Sequence, residues 1–181
     1  MAITKVRIAT QNIQWGGDPA PGGDGQPRLT RLVPYLVELD ADLLVLTEYK
    51  SGARGEELQR LLRDAGYLHF IHQSPPTRYS LGTAIASRIP VKPTQPPLPA
   101  VMDPWRCTAV TLHGIDIFGF YFPLQGMPAY WDWVLSNAKE RLSHKTILIG
   151  DFNTGKHFID EEGDVFLCSE KAYGARRHRI Y

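Results

Sequence analysis

Short apolar runs that end in polar residues recur along this chain and predict a series of buried strands. The clearest run is Ile147-Leu148-Ile149, which Gly150 ends. Residues 90–104 carry six prolines and are expected to form an irregular crossing or an edge strand. The other predicted strands are residues 6–13, 43–47, 67–72 and 82–87, and a hairpin of residues 106–112 and 115–121 about His113-Gly114.

Three stretches between these strands carry apolar residues at helical spacing. Pro34 lies inside the first stretch, so this helix is expected either to start late or to kink there. Gly66 is the expected stop after the second stretch. The three stripes are Leu29, Leu32, Val33 and Leu36; Leu58, Leu61, Leu62 and Ala65; and Trp131, Leu135, Ala138 and Leu142. Interleaved helices and strands predict a layered α/β or α+β architecture.

Composition indicates one globular domain of ordinary size, since 181 residues with 43% apolar content can build a substantial core. A formal net charge of +1 lacks the excess of basic residues that is typical of tight nonspecific nucleic-acid binding. It leaves open a nuclease whose basic residues line one groove. Cys107 and Cys168 make no disulfide framework, which favours a reducing compartment, the cytoplasm. The first residues lack the apolar core of a signal peptide, and no stretch approaches membrane-spanning length.

The sequence Gly150-Asp-Phe-Asn153 is the strongest local sign of chemistry. On an extended segment residues two apart face the same way, so Asp151 and Asn153 are expected to point into one site at the strand's carboxyl end. A carboxylate can orient a water, take a proton or help to hold a hard cation. The alternative is an Asx turn that merely ends the strand, since Asp and Asn are common turn residues.

Polar groups also close three earlier strands: Asn12 the first, Glu48 the second and Tyr121 a hairpin strand. Each has a plain structural explanation, as a turn former, a solvated strand end and a core aromatic with a wet hydroxyl. Together they predict a site, because layered α/β folds usually bind ligands at strand carboxyl ends. Oxygen-bearing side chains of this kind suit Mg²⁺ or Mn²⁺ rather than a structural zinc.

Five motifs, taken in order, resemble the endonuclease/exonuclease/phosphatase superfamily, the DNase I-like metal-dependent phosphoesterases. They are I-A-T-Q-N-I (8–13), L-V-L-T-E (44–48), G-T-A-I-A-S-R (82–88), F-Y-F-P-L-Q-G (120–126) and I-G-D-F-N-T (149–154). The resemblance implies a DNase I-like four-layer α/β/β/α sandwich of the α+β class. It also implies that residues 1–181 form a single domain of this family.

The same resemblance implies a role for each polar strand end. Glu48 would be the main metal carboxylate, with Asn12 supporting the metal or the phosphate. Tyr121 would be the active-site tyrosine, Asp151 would orient the attacking water and Asn153 would hold the phosphate. The implied cofactor is Mg²⁺ or Mn²⁺, and the implied partner is a phosphoester substrate, with nucleic acid among the candidates. No membrane span and no obligate protein partner are evident.

The resemblance weakens toward the end of the sequence. The family has an R-I-D strand and a C-terminal Ser-Asp-His there, whereas this chain ends Arg179-Ile180-Tyr181 and contains no Asp-His pair. We therefore expect a C-terminally incomplete family domain, with residues 170–181 as an atypical tail. None of the six histidines has a family counterpart.

Two functions remain open at this point. One is metal-dependent hydrolysis of a phosphodiester or phosphomonoester, expected to be slow without the Asp-His side of the site. The other is an inactive family copy that acts, if at all, as a binding module. DNA, RNA, phosphoinositide and phospholipid enzymes share the motifs. Trp105 and Arg106 are candidates to stack on a base, although a Pro-flanked Trp more often packs on its own loop.

Overall fold

The computed structural model describes residues 5–17, 28–74, 76–77, 80–95, 98–138 and 145–153. Eight strands and three α-helices lie in this part of the chain. The strands are β1 (Ile8–Asn12), β2 (Leu43–Tyr49), β3 (His69–His72), β4 (Gly82–Ser87), β5 (Lys92–Thr94), β6 (Cys107–Leu112), β7 (Ile115–Tyr121) and β8 (Thr146–Asp151). The helices are α1 (Leu29–Glu38), α2 (Ala53–Asp64) and α3 (Met127–Ala138). None of these helices has the length and apolar character that a bilayer span requires.

The strands form two four-stranded mixed sheets. The first has the order β1-β2-β4-β3, with β1 parallel to β2 and Asn12 opposite Thr47. The second has the order β5-β6-β7-β8, with β7 parallel to β8 and Tyr121 opposite Asp151. Each parallel pair therefore brings the carboxyl ends of two strands to the same edge of its sheet.

Three hydrophobic clusters define four layers. Leu36 of α1 and Leu58 and Leu62 of α2 pack on the outer face of the first sheet, and Tyr130 and Val134 of α3 pack on the outer face of the second. Between the sheets lies an apolar layer of Leu43, Val45, Ile85, Val110, Leu112 and Ile117. The predicted α/β/β/α arrangement is confirmed.

Most predicted elements coincide with the observed ones within one or two residues. β4 occupies residues 82–87 as predicted, and Gly66, at φ +93°, follows α2. The proline-rich segment contributes an edge strand, β5, which includes Pro93. α1 begins at Leu29, so the expected late start is wrong, and a kink at Pro34 stays a prediction. Cys107 is a buried free thiol, whereas Cys168 and the 170–181 tail lie outside the described residues.

The predicted packing face of α3 is correct at Trp131 and wrong at Leu135. Leu135 is 65% exposed, whereas Tyr130 and Val134 are buried and Met127 and Trp131 pack beside them. The apolar stripe therefore begins one turn earlier in the sequence than expected. With two tryptophans and several aliphatic residues in the helix, more than one stripe has helical spacing, and only the sheet selects between them. Leu142 lies outside the described residues.

Gly150 lets β8 approach β7 closely near its carboxyl end. Its φ is +144°, and a Cβ atom built there would lie only 2.0 Å from the Phe120 carbonyl oxygen. Both backbone conformation and space therefore require glycine next to Asp151.

We expect Gly150→Ala to destabilise the fold by about 3–4 kcal/mol, because it combines a disfavoured φ with a backbone clash. Gly114→Ala is the matched control, since Gly114 also has positive φ (+75°) but nothing within 4 Å of the added atom. That control should cost only about 1 kcal/mol. Urea unfolding of both variants measures the difference, and equal losses would contradict the clash.

Candidate active site

The side chains of Asn12, Glu48 and Asp151 meet where the carboxyl ends of β1, β2 and β8 converge. The Asn12 Nδ2 donates to Glu48 Oε1 at 2.9 Å and to Asp151 Oδ2 at 3.0 Å. One amide group thus links two carboxylates that belong to different sheets. The structure brings together the residues that the sequence placed at separate strand ends.

A bulge in β2 aims Glu48 at this site. The pairing of β2 with β4 shifts register between Thr47 and Tyr49, and Glu48 has a φ of +59°. Regular alternation would have put Glu48 on the helix-covered face with Leu44 and Leu46. The extra residue instead turns its carboxylate toward Asn12, as bulges beside active sites often do.

A left-handed turn after β1 holds the other sides of Asn12 and Glu48. Gln14 and Trp15 have φ values of +48° and +58°, and two glycines at positive φ follow them. The Gln14 N–H donates to Asn12 Oδ1 at 2.8 Å, and the Trp15 N–H donates to Glu48 Oε2 at 2.9 Å. Because a backbone N–H can only donate, Asn12 Oδ1 must face Gln14, and its NH₂ group must face the carboxylates.

Asp151 and Asn153 form the expected Asx turn and still take part in the site. The Asn153 N–H donates to Asp151 Oδ1 at 2.9 Å, while Oδ2 of the same carboxylate faces Asn12. The Asn153 Nδ2 donates to the Phe122 carbonyl oxygen at 2.6 Å, which ties the end of β8 to β7. The turn fixes the direction of Asp151, so the two interpretations of this motif are compatible.

Tyr121 lies beside these carboxylates in the register of β7 and β8, and it is 9% exposed. Burial raises the pKa of its phenol, and the negative charges of Glu48 and Asp151 add to this rise. The guanidinium of Arg106, which stacks over the Tyr121 ring at 4.9 Å, opposes it. Tyr121 is therefore a neutral phenol at neutral pH.

Arg106 is a site residue that the sequence suggested only as a base-stacking candidate. Its Nε donates to Asp103 Oδ2 at 3.0 Å, and its Nη1 is buried without a hydrogen-bond partner among the described residues. Arg106 immediately precedes β6, whose first residue, Cys107, pairs with Phe120, so the hairpin places Arg106 beside Tyr121. Trp105 packs over Gly82 with a buried indole nitrogen, as a loop-packing residue does.

The donor set is compatible with a hard divalent cation. Glu48 and Asp151 offer carboxylate oxygens, which Mg²⁺ and Mn²⁺ prefer together with several waters. Among the described residues no cluster of three or more His, Cys, Asp or Glu side chains could enclose a metal. The residues therefore suit a cation that keeps much of its hydration rather than a closed metal site.

A model of the endonuclease/exonuclease/phosphatase family matches residues 9–161. The chain belongs to this family. The matched region contains Asn12, Glu48, Tyr121, Asp151 and Asn153. No curated protein sequence matches the chain.

Solved structures of the endonuclease/exonuclease/phosphatase fold resemble this chain. An AP endonuclease from Archaeoglobus fulgidus has a TM-score of 0.60 at 19% identity and covers 86% of this chain. A 3′-5′ exonuclease from Neisseria meningitidis has a TM-score of 0.59 at 21% identity and covers 83%. ANGEL2, a 2′,3′-cyclic phosphatase, has a TM-score of 0.57 at 16% identity and covers 82%. The chain spans 60%, 59% and 53% of these three proteins, respectively.

We expect Asn12→Ala to lower the free energy of unfolding by about 1.5–3 kcal/mol in metal-free buffer, because hydrogen bonds to charged acceptors are lost. Asn12→Asp should destabilise more at pH 7 and recover as the pH falls. Its new carboxyl, beside two others, has a raised pKa when folded, so its protonated form is favoured at low pH. Urea unfolding at pH 5 and pH 7 tests both variants. Asn137→Ala, which removes one hydrogen bond to the Trp133 carbonyl, is the control for losing a neutral bond.

Arg106→Gln should raise the pKa of Tyr121 further, because the stacked positive charge disappears. Glu48→Gln should lower it, because a nearby negative charge disappears. Tyrosine ¹³Cζ NMR titration measures both shifts, with Tyr121→Phe identifying the resonance. Shifts of the same sign in the two variants would contradict the arrangement.

Proposed function

We propose that this chain is a divalent-metal-dependent phosphoester hydrolase. The observation that carries the proposal is the Asn12 amide, which links Glu48 and Asp151 across the two sheets. Two part-buried carboxylates that share one neutral donor repel each other, and a bound cation would offset that repulsion. Membership of the endonuclease/exonuclease/phosphatase family gives the phosphoesterase-type fold on which this site stands.

Glu48 would hold Mg²⁺ or Mn²⁺, and Asn12 would support it by orienting the carboxylate. When bound, the cation would stabilise negative charge on the phosphate oxygens. The hydrogen bonds from Asn12 and Trp15 leave each Glu48 oxygen with further lone-pair capacity, since a carboxylate has about four acceptor positions. A ligand role for Asn12 Oδ1 would use the lone pair that Gln14 does not engage.

Asp151 would orient the attacking water and accept its proton. Its Oδ1 is fixed by the Asn153 N–H, so its Oδ2 side, which faces Asn12, is the one directed at the site. Asn153 would hold the phosphate with the N–H that its Phe122 contact does not use. Tyr121, as a neutral phenol, would donate to a phosphate oxygen, with Arg106 fixing its ring.

The substrate class of the proposal is a phosphoester, with a nucleic acid as one case. The similar structures include an AP endonuclease, a 3′-5′ exonuclease and a 2′,3′-cyclic phosphatase, which have the phosphoester in common. The buried free thiol of Cys107 supports a reducing compartment, and we place the protein in the cytoplasm on that ground.

Glu48→Gln should weaken Mn²⁺ binding at least about tenfold, because it removes the principal charged ligand. Calorimetric titration compares the wild type with Glu48→Gln and with Glu38→Gln. Glu38 is exposed and is the last residue of α1. It precedes β2 in the chain, whereas Glu48 lies near the carboxyl end of that strand. Equal Mn²⁺ affinity in all three proteins would reject the metal assignment.

Asp151→Ala should reduce the rate of hydrolysis of a generic diester by about 10²–10⁴-fold, because it removes the proposed general base. Unchanged hydrolysis would reject the role of Asp151.

A further inference from the structure

Trp15 is an exposed aromatic residue at the rim of the candidate site. We propose that its indole ring is a stacking platform for a nucleobase, so that the substrate carries a base beside the phosphate that reacts. The inference rests on the proposed function and adds to it a substrate class, a nucleotide or a single-stranded nucleic acid.

The backbone of Trp15 is held in an unfavourable conformation that points to a function. Bulky residues rarely adopt a φ of +58°, and an outlier of this kind needs a reason in the surrounding structure. Gly16 and Gly17 continue the left-handed turn, and Cβ atoms there would lie 2.9 Å from Lys50 and 2.6 Å from Leu29. The turn is therefore closely packed, and it holds Trp15 in a conformation that glycine would adopt without strain.

The indole of Trp15 is exposed although its backbone is fixed. Its exposed fraction is 51%, whereas Trp131 and Trp133 pack in the cluster under α3 and the indole nitrogen of Trp105 is buried. All four tryptophans of the chain lie in the described residues. About half of this large ring is left in solvent at a strained, well-packed turn, so it presents a flat face to a ligand.

The position of Trp15 relates this face to the phosphate site. Its backbone N–H donates to Glu48 Oε2. The indole is therefore carried by a residue that directly contacts the carboxylate proposed to hold the metal. Lys50 Nζ lies 5.8 Å from the ring centroid, and Arg28 donates to Gln14 Oε1 at 2.8 Å in the same turn. An aromatic ring with basic groups beside a phosphate site is the combination that single-stranded nucleic-acid binders use.

The surroundings of Trp15 favour a base over a lipid. Membrane-binding surfaces present contiguous apolar patches, whereas Lys50 lies over this ring and the preceding residue, Gln14, binds Arg28. Stacking on one aromatic ring tolerates any base, because every base has a π-face. The inferred contribution is therefore affinity for a base without strong sequence preference.

The experiment measures binding of two fluorescein-labelled single-stranded oligonucleotides of equal length in EDTA, so that no cleavage occurs. One is oligothymidylate, and the other carries tetrahydrofuran in place of every base. Fluorescence anisotropy gives Kd for the wild type, Trp15→Ala, Trp15→Gly, Trp15→Phe and Tyr35→Ala. Trp15→Gly keeps the turn, because glycine adopts positive φ freely. Tyr35→Ala removes another exposed aromatic, on α1.

Trp15→Ala and Trp15→Gly should weaken oligothymidylate binding roughly 5- to 150-fold, which corresponds to the usual cost of losing one stacked base. Trp15→Phe should restore most of the affinity. Binding of the base-free oligomer, and all binding by Tyr35→Ala, should stay within about twofold of the wild type.

Equal losses on both oligomers, or no loss on oligothymidylate, would overturn the inference. So would a wild-type protein that binds the two oligomers equally well. Hydrolysis of the base-free diester in Mn²⁺ is measured separately. If that reaction occurs and the Trp15 variants bind oligothymidylate as well as the wild type does, the proposed function stands and the stacking platform is wrong. If it does not occur while the base-dependent binding does, the proposed function fails and the platform stands.

Discussion

The contact on which the candidate site depends is the bridge from the Asn12 amide to Glu48 and Asp151. Two carboxylates that approach one another repel, and each loses water as it does so. A side-chain amide offsets both effects, since its NH₂ group has two N–H bonds and can serve both acceptors at once. The Gln14 N–H keeps the amide from turning over, so that its oxygen never faces the carboxylates.

This bridge makes the site a property of the packing between the two sheets. Glu48 belongs to the first sheet and Asp151 to the second, so the separation of the sheets sets the distance between the carboxylates. The apolar layer beneath them fixes that separation, and Gly119 allows a close approach, because a Cβ atom there would lie 2.8 Å from Val45 Cγ1. Close-packed protein interiors transmit strain, so substitutions in this apolar layer can move the carboxylates even when they lie far from them.

Apolar periodicity in the sequence was sufficient to predict the strands and a layered architecture, because burial of one face leaves a regular pattern. The four-layer arrangement was predicted from the family resemblance. The ends of the strands could also be predicted from the sequence, and with them the polar residues that form the candidate site. The bulge at Glu48 and the left-handed turn at Trp15 were not readable, because both depend on partners far away in sequence. For the same reason the stacking of Arg106 on Tyr121 and the packing face of α3 appeared only in three dimensions.

Backbone strain in the described residues is concentrated where the chemistry is proposed to occur. Six non-glycine residues have positive φ, and four of them, Gln14, Trp15, Glu48 and Asn153, belong to the site. Each such residue costs about 1–3 kcal/mol, which the rest of the fold must supply. In return, the N–H groups of Gln14, Trp15 and Asn153 point at side-chain oxygens of the site. In regular strands these N–H groups would donate to neighbouring strands. The strained conformations therefore orient the site before any ligand binds.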